Sequence, residues 1–254
     1  MTAGIAIPSS SMEQDPSPPP TLTTTQQVLL ACGIISALLY TAMVVIVPMF
    51  WEGYSSASQS VSELSAIDAP TRSVWVSLGI AWTVLYGVFG WGVWLSARSN
   101  RALRWVGAVI IVAAIAGLFW PPMHQREVLA AGGGTLTDTL HLAWTAVNGV
   151  FTLLAMGIGA AAFGRRFRLY SIATMVILLA AGALTSVDAP RFDANLPTPW
   201  MGIWERVNIG VWLLWVVALA VMLLGRPMPH GSRDTGARPP RGRGEHRVGT
   251  MYRG

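Results

Sequence analysis

Lysine is missing from this 254-residue chain; all 17 of its basic side chains are arginine. Charge of either sign is scarce, at 11% of residues, where soluble domains carry about 25%. With 53% hydrophobic residues and a mean hydropathy of +0.51, that scarcity excludes an ordinary soluble globular protein. The single cysteine, Cys32, excludes an intrachain disulfide and lies inside an apolar run, where it reads as a small core residue. Period-two alternation is absent, so a membrane barrel is not expected. HExxH and GxSxG are absent too, which removes two sequence signatures of hydrolases. Gly132 to Gly134 lack the Lys-Ser/Thr that would follow in a phosphate loop, and read as a flexible turn. Nothing resembles a secretory signal, because no basic segment precedes the first apolar run.

What the chain has is six apolar runs. They cover residues 28–50, 74–95, 105–120, 140–163, 169–184 and 204–224. Crossing about 30 Å of hydrocarbon takes about 20 residues. A backbone in lipid must satisfy its own hydrogen bonds, so each run is expected to be a helix. Residues 1–27 are rich in Pro, Ser and Thr and read as a disordered leader. Residues 225–254 are rich in Arg, Gly and Pro and read as a disordered basic tail that favours an anionic lipid surface. Nothing in the pattern supports nucleic-acid binding by a folded module.

Arginine placement sets the orientation. Arg98, Arg101 and Arg104 follow the second run, and Arg165, Arg166 and Arg168 follow the fourth. The tail holds seven more arginines, while the other three loops hold Arg72, Arg126 and Arg191, one each. The expected fold is therefore all-α: a polytopic bundle of six transmembrane helices with both termini cytoplasmic. Glu52, Glu63, Asp68, Glu127, Asp138, Asp188, Asp193 and Glu205 then fall on the outer face, with His124 and His141.

Three clusters on that face could carry chemistry. Asp138, His141, Thr145, Asn148 and Thr152 are spaced three, four, three and four apart, which puts them on one face of the fourth helix. Lipid cannot satisfy those groups, so the stripe is expected to face the bundle interior or a wet cavity. Asp138 also suits the helix start as a cap. Glu205-Arg206 opens the sixth run, with Asn208 one step further in. A cation is unfavourable at a helix start, so Arg206 is expected to find a carboxylate: Glu63, Asp68 or Asp188. A clamp between the first outer loop and the sixth helix is one reading of that pair, and an anion or headgroup site is the other. His124, Asp138 and His141, with Glu63, are the candidates for zinc, which takes histidine and carboxylate ligands. Of these, only Asp138 and His141 are close in sequence.

Two motifs resemble a known family. Ser60-Val-Ser62-Glu63-Leu64-Ser65-Ala66, with Pro70-Thr71-Arg72 ahead of a run, is similar to the signature of the bacterial and archaeal membrane family catalogued as domain of unknown function 998. So is Gly202-Ile-Trp-Glu205-Arg206-Val-Asn208-Ile, followed by Trp212–Trp215. The resemblance covers residues 28–224. It implies a six-helix integral protein of the cell membrane and carries no activity with it.

The expectation is thus a multi-pass protein of a prokaryotic cytoplasmic membrane, partnered by membrane lipids, with an outward-facing polar pocket. The expected pocket residues are Ser62, Glu63, Ser65, His124, Asp138, His141, Asn148, Glu205, Arg206 and Asn208. Binding of a polar or lipid headgroup at the outer leaflet is the first functional reading. An intramembrane lipid hydrolase with possible zinc is the second, and a structural membrane protein without a ligand is the third.

Overall fold

The computed structural model describes residues 22–225. Most of the expected leader, and the tail beyond Gly225, lie outside the described residues. Eight helices are described: α1 (Thr24–Ile46), α2 (Arg72–Ser96), α3 (Arg101–Gly117), α4 (Arg126–Ala130), α5 (Leu136–Ala162), α6 (Arg165–Val187), α7 (Ala189–Asp193) and α8 (Met201–Leu224). No strand occurs among the described residues.

Each long helix starts ahead of the apolar segment that announced it. α1 starts at Thr24, ahead of Val28, because Thr23 and Gln26 form a reciprocal capping box across 3.2 and 3.1 Å. α3 starts at Arg101, held by the Asn100 side chain on the Leu103 N–H, and stops at Gly117, short of Trp120. α6 runs Arg165–Val187 rather than 169–184, and α8 starts at Met201 rather than residue 204. Arginine is a good helix former with a long stem, so a helix can begin on it before hydropathy rises. Hydropathy marks the stretch that suits lipid, not the stretch that is hydrogen-bonded.

Five of the helices are long and apolar enough to cross a membrane: Thr24–Phe50, Arg72–Leu95, Leu136–Ala162, Arg165–Asp193 and Met201–Leu224, each with its flanking turn where one continues it. α3, at 17 residues, spans about 26 Å and is the shortest of the six long helices.

The six long helices close into a ring. Each packs chiefly on two neighbours, in the order α1, α2, α3, α5, α6, α8 and back to α1, and α8 also meets α2 and α5 across the ring. The tightest seam is α2 on α3, where glycine lets the backbones touch. A Cβ on Gly107 would stand 2.6 Å from the Trp94 nitrogen and 2.8 Å from the Gly90 oxygen. α5 and α6 are the most sparsely packed neighbours. At the arginine-rich end, the fully buried Trp215 donates to the Ser171 hydroxyl at 2.9 Å, and Asn100 donates to the Ala162 carbonyl at 3.0 Å. At the other end the loops 51–71, 118–135 and 188–200 fold over the ring.

Tyr40, Trp82, Tyr86 and Trp212, from α1, α2 and α8, form an aromatic cluster with ring centroids 5.0–6.3 Å apart. Within it the buried Trp82 Nε1 has no acceptor among the described residues.

Gly107→Ala forces α3 away from the α2 backbone and should cost about 1–3 kcal/mol. Thermal unfolding in detergent checks this, with Gly157→Ala, whose Cβ would meet nothing within 4 Å, keeping the wild-type midpoint.

Candidate functional site

The loop 51–71 owes its shape to a short 3-10 turn, Val61–Ser65, inside the Ser60-Val-Ser-Glu-Leu-Ser motif. Ser60 caps it, and Glu63 returns its carboxylate to the Ser60 N–H at 2.7 Å. Glu63 is only 2% exposed, so its charge needs more than a cap. Arg126 of α4, 8% exposed, supplies it: Nε donates to Oε1 and a terminal nitrogen to Oε2, both at 2.9 Å. Gln59 donates to Oε1 at 3.2 Å, and the Ser60 hydroxyl to Oε2 at 3.1 Å. The other terminal nitrogen of Arg126 donates to Thr198 at 3.2 Å, and Thr198 donates to the Ser58 carbonyl at 2.7 Å. The guanidinium also lies 4.7 Å from the Phe192 ring centroid. One ion pair thereby ties together the loops 51–71, 118–135 and 188–200. Buried charge persists where hydrogen bonds answer it, and here each Arg126 nitrogen and each Glu63 oxygen has a partner.

The second family-like motif meets the first. Glu205 accepts the Val61 N–H at 2.6 Å, so a carboxylate on α8 caps the turn from outside. The Ile203 N–H reaches the Ala57 carbonyl at 3.2 Å. Gly202 is the contact that permits this: a Cβ there would stand 2.3 Å from the Gln59 oxygen and 2.5 Å from the Ser56 oxygen. The expected carboxylate partner for Arg206 is not found. Its guanidinium donates to the carbonyls of Gln59 at 3.2 Å and Gly202 at 3.1 Å, and to the Tyr54 hydroxyl at 3.0 Å. Glu63 is already held by Arg126, and Asp68 points away as an exposed turn residue at φ 63°. Carbonyl and phenol oxygens suffice for a cation that donates five hydrogen bonds. Burial pushes the Tyr54 phenol up to about 12, and the Arg206 guanidinium on its oxygen offsets part of that.

Asp138 and His141, expected together, turn to different partners. Asp138 caps α5 by accepting the Thr135 N–H at 2.8 Å, and takes the His124 N–H at 2.7 Å and the His124 ring at 2.9 Å. His141, 4% exposed, places Nδ1 2.8 Å from the Pro121 carbonyl and Nε2 3.3 Å from the Ser62 hydroxyl. The Trp120 indole nitrogen stands 3.1 Å from the same Nδ1, with the rings edge to face. Among the described residues no group of three His, Cys, Asp or Glu side chains converges as a metal site would require. Ser65 donates to the Ser62 carbonyl at 2.9 Å and receives Arg72 on its own carbonyl. Asn208 donates to the Leu178 carbonyl on α6 at 2.9 Å.

Asn148 differs from all of these. His141 and Gly159 stand about five full turns apart on α5, so they share an azimuth. One end of that line meets Ser62 in the cap, and the other meets Trp215 of α8, 2.7 Å from a Cβ on Gly159. Thr145, Asn148 and Thr152 lie within about 40° of it, on the inward side of the ring. Yet Thr145 is exposed, and Asn148 and Thr152 are partly exposed. Asn148 has no hydrogen-bond partner among the described residues. A Cβ on the adjacent Gly149 would meet nothing within 4 Å. An apolar groove between α2 and α3, lined by Thr83, Val84, Trp91, Ile111 and Leu118, is separate from the α5 stripe.

Of the ten expected pocket residues, then, Ser62, Glu63, Ser65, His124, Asp138, His141, Glu205 and Arg206 gather in the outer cap. Asn148 and Asn208 lie deeper. Arg126, Thr198, Tyr54 and Trp120 were not expected there. Arg126 carried a signal, as a lone arginine among outer acids; the others carried none.

The family model described as "Protein of unknown function (DUF998)" matches residues 34–222. No curated protein and no solved structure matches the chain.

Arg126→Ala strands the Glu63 carboxylate and should cost about 3–5 kcal/mol. The double variant Glu63→Leu/Arg126→Met should recover most of it. Unfolding midpoints in detergent decide; a single-variant loss under about 1 kcal/mol contradicts a keystone role.

Proposed function

The chain belongs to the DUF998 family, and on that premise we propose that it takes the polar end of a membrane amphiphile into the ring beneath its outer cap. It is a multi-pass membrane protein, and we place it in a prokaryotic cytoplasmic membrane. In this reading α3 joins the five longer helices as a sixth span. Residues 28–224 form the membrane domain, flanked by the leader and the basic tail, with both termini cytoplasmic. Support comes from Arg98, Arg101 and Arg104 at the α2–α3 turn and Arg165, Arg166 and Arg168 at the α5–α6 turn, all at one end of the ring.

Asn148 carries the ligand reading. An amide near the middle of a membrane-spanning helix, turned inward and without a partner, wants water or a ligand. The cap is a poorer candidate for first contact, because Glu63, Arg126, Glu205 and Arg206 are taken up by one another and by backbone. Between His141 and Gly159 α5 carries no charged side chain, which favours a neutral polar group such as a hydroxyl or carbonyl. The sparse α5–α6 seam and the open space beside Gly149 offer a way in from the lipid side.

Two measurements test this. Asn148→Leu should lower the amount of a co-purifying amphiphile about tenfold, as expected for loss of hydrogen bonding worth about 1.4 kcal/mol. Mass spectrometry of extracted lipids reads it out. A profile identical to wild type, and to the lipid-facing control Val150→Ala, overturns the reading. Reporter fusions at Ser99 should report the cytoplasm and fusions at Leu196 the outside; the reverse pattern overturns the topology.

A further inference from the structure

We propose that Ser62 and His141 are a nucleophile–base pair for acyl transfer from an ester at the outer face of the membrane. Nucleophilic serines are recognised by a base within hydrogen-bond reach, itself oriented by a third group, with looser distances when no substrate is bound. All three parts are present. The Ser62 Oγ lies 3.3 Å from His141 Nε2, and His141 Nδ1 lies 2.8 Å from the Pro121 carbonyl.

Nδ1 is met by the Trp120 N–H at 3.1 Å and, closer, by the Pro121 carbonyl at 2.8 Å. A carbonyl oxygen can only accept, so in the proposed pair Nδ1 carries the proton toward it. Nε2 then presents its lone pair to the Ser62 hydroxyl, as a general base must. The Trp120 N–H, which points at Nδ1 from 3.1 Å, gives up that acceptor in this tautomer. Pro121 thus fills the orienting place that an aspartate fills in a triad.

Ser62 also differs from its neighbours. The Ser60 hydroxyl is spent on Glu63 and on the turn's N–H groups, Ser65 donates to the Ser62 carbonyl, and the Ser55 hydroxyl accepts the Ser58 N–H. The Ser62 hydroxyl has His141 alone, and its residue remains partly exposed. Its backbone is held on both sides, by Glu205 on Val61 and by the Glu63–Arg126 pair. Holding reactive groups in place before the substrate arrives is a large part of catalysis.

The step balances without a cofactor. Ser62 Oγ attacks the ester carbonyl carbon while its proton passes to His141 Nε2. The carbon–oxygen bond to the alcohol breaks, and that alcohol leaves with the proton. Water then attacks the acyl-serine, giving its proton to Nε2, and the carboxylic acid departs as the proton returns to Oγ. For substrate class the proposal rests on the amphiphile reading above: the inward stripe begins at His141, with Asn148 about 10 Å deeper.

The test is labelling of the full-length protein, in nanodiscs, with a fluorophosphonate. Wild type should give one adduct, on Ser62 by peptide mass spectrometry. Ser62→Ala should give none. His141→Gln should label about 100-fold more slowly, and Ser65→Ala at the wild-type rate. Wild-type labelling should also rise between about pH 5 and 8 as imidazole loses its proton, a readout that survives should His141→Gln misfold. An unlabelled wild type with an intact unfolding midpoint overturns the proposal. So does a pH-independent rate, or a His141→Gln rate within about twofold of wild type. The two readings fail separately: unchanged lipid in Asn148→Leu beside a wild type that labels on Ser62 retains only the pair, and lipid lost in Asn148→Leu beside a wild type that does not label retains only the amphiphile site.

Discussion

The buried pair of Glu63 and Arg126 is the contact on which the outer half of this molecule depends. Taking two charges out of water costs several kcal/mol for each ion unless every donor and acceptor is answered. Here each carboxylate oxygen is reached by Arg126 and by residues of its own turn, while Thr198 takes the spare guanidinium nitrogen. The cost is met only when all three outer loops are in place. That condition couples loops distant in sequence into a single lid, and it fixes the short turn that carries Ser62.

The cap and the interior divide the polar groups of the chain into two kinds. Those in the cap are saturated: Glu205 by a backbone N–H, Arg206 by carbonyls and a phenol, Asp138 by His124 and the start of α5. A saturated group rigidifies and has little left to offer a ligand. On α5 below His141, Thr145 donates back to the His141 carbonyl at 2.9 Å, while the Asn148 and Thr152 side chains have no partner among the described residues and sit where lipid cannot satisfy them. The saturated groups and the unpartnered amide therefore occupy different levels of one ring. His141 joins them, facing Ser62 above and heading the open stripe below.

The α5 stripe was legible beforehand because it is a matter of period. Residues three and four apart must share a helix face whatever surrounds them, so the common face of Thr145, Asn148 and Thr152 followed from spacing. The partners in the cap were not legible. Arg206 looked in need of a carboxylate, and it found carbonyls, because the acid it might have used was already held by an arginine from another loop. Asp138 and His141 looked like a pair, and each was drawn to a different residue of the 118–125 segment. Choices of this kind depend on which of several acceptors arrives first in space, and sequence distance says nothing of that.

The amino-acid sequence by itself determined that the chain is helical, that its long helices belong in a membrane, and that polar residues line one side of α5. Those are consequences of composition and repeat, which act locally. Only the tertiary structure decided that the helices close into a ring, that Glu63 goes to Arg126 rather than Arg206, and that Ser62 meets His141. The last two are contacts between residues 60 or more positions apart, which no local periodicity fixes, and the first of these two holds because a buried charge left unanswered would cost more than the fold can spare.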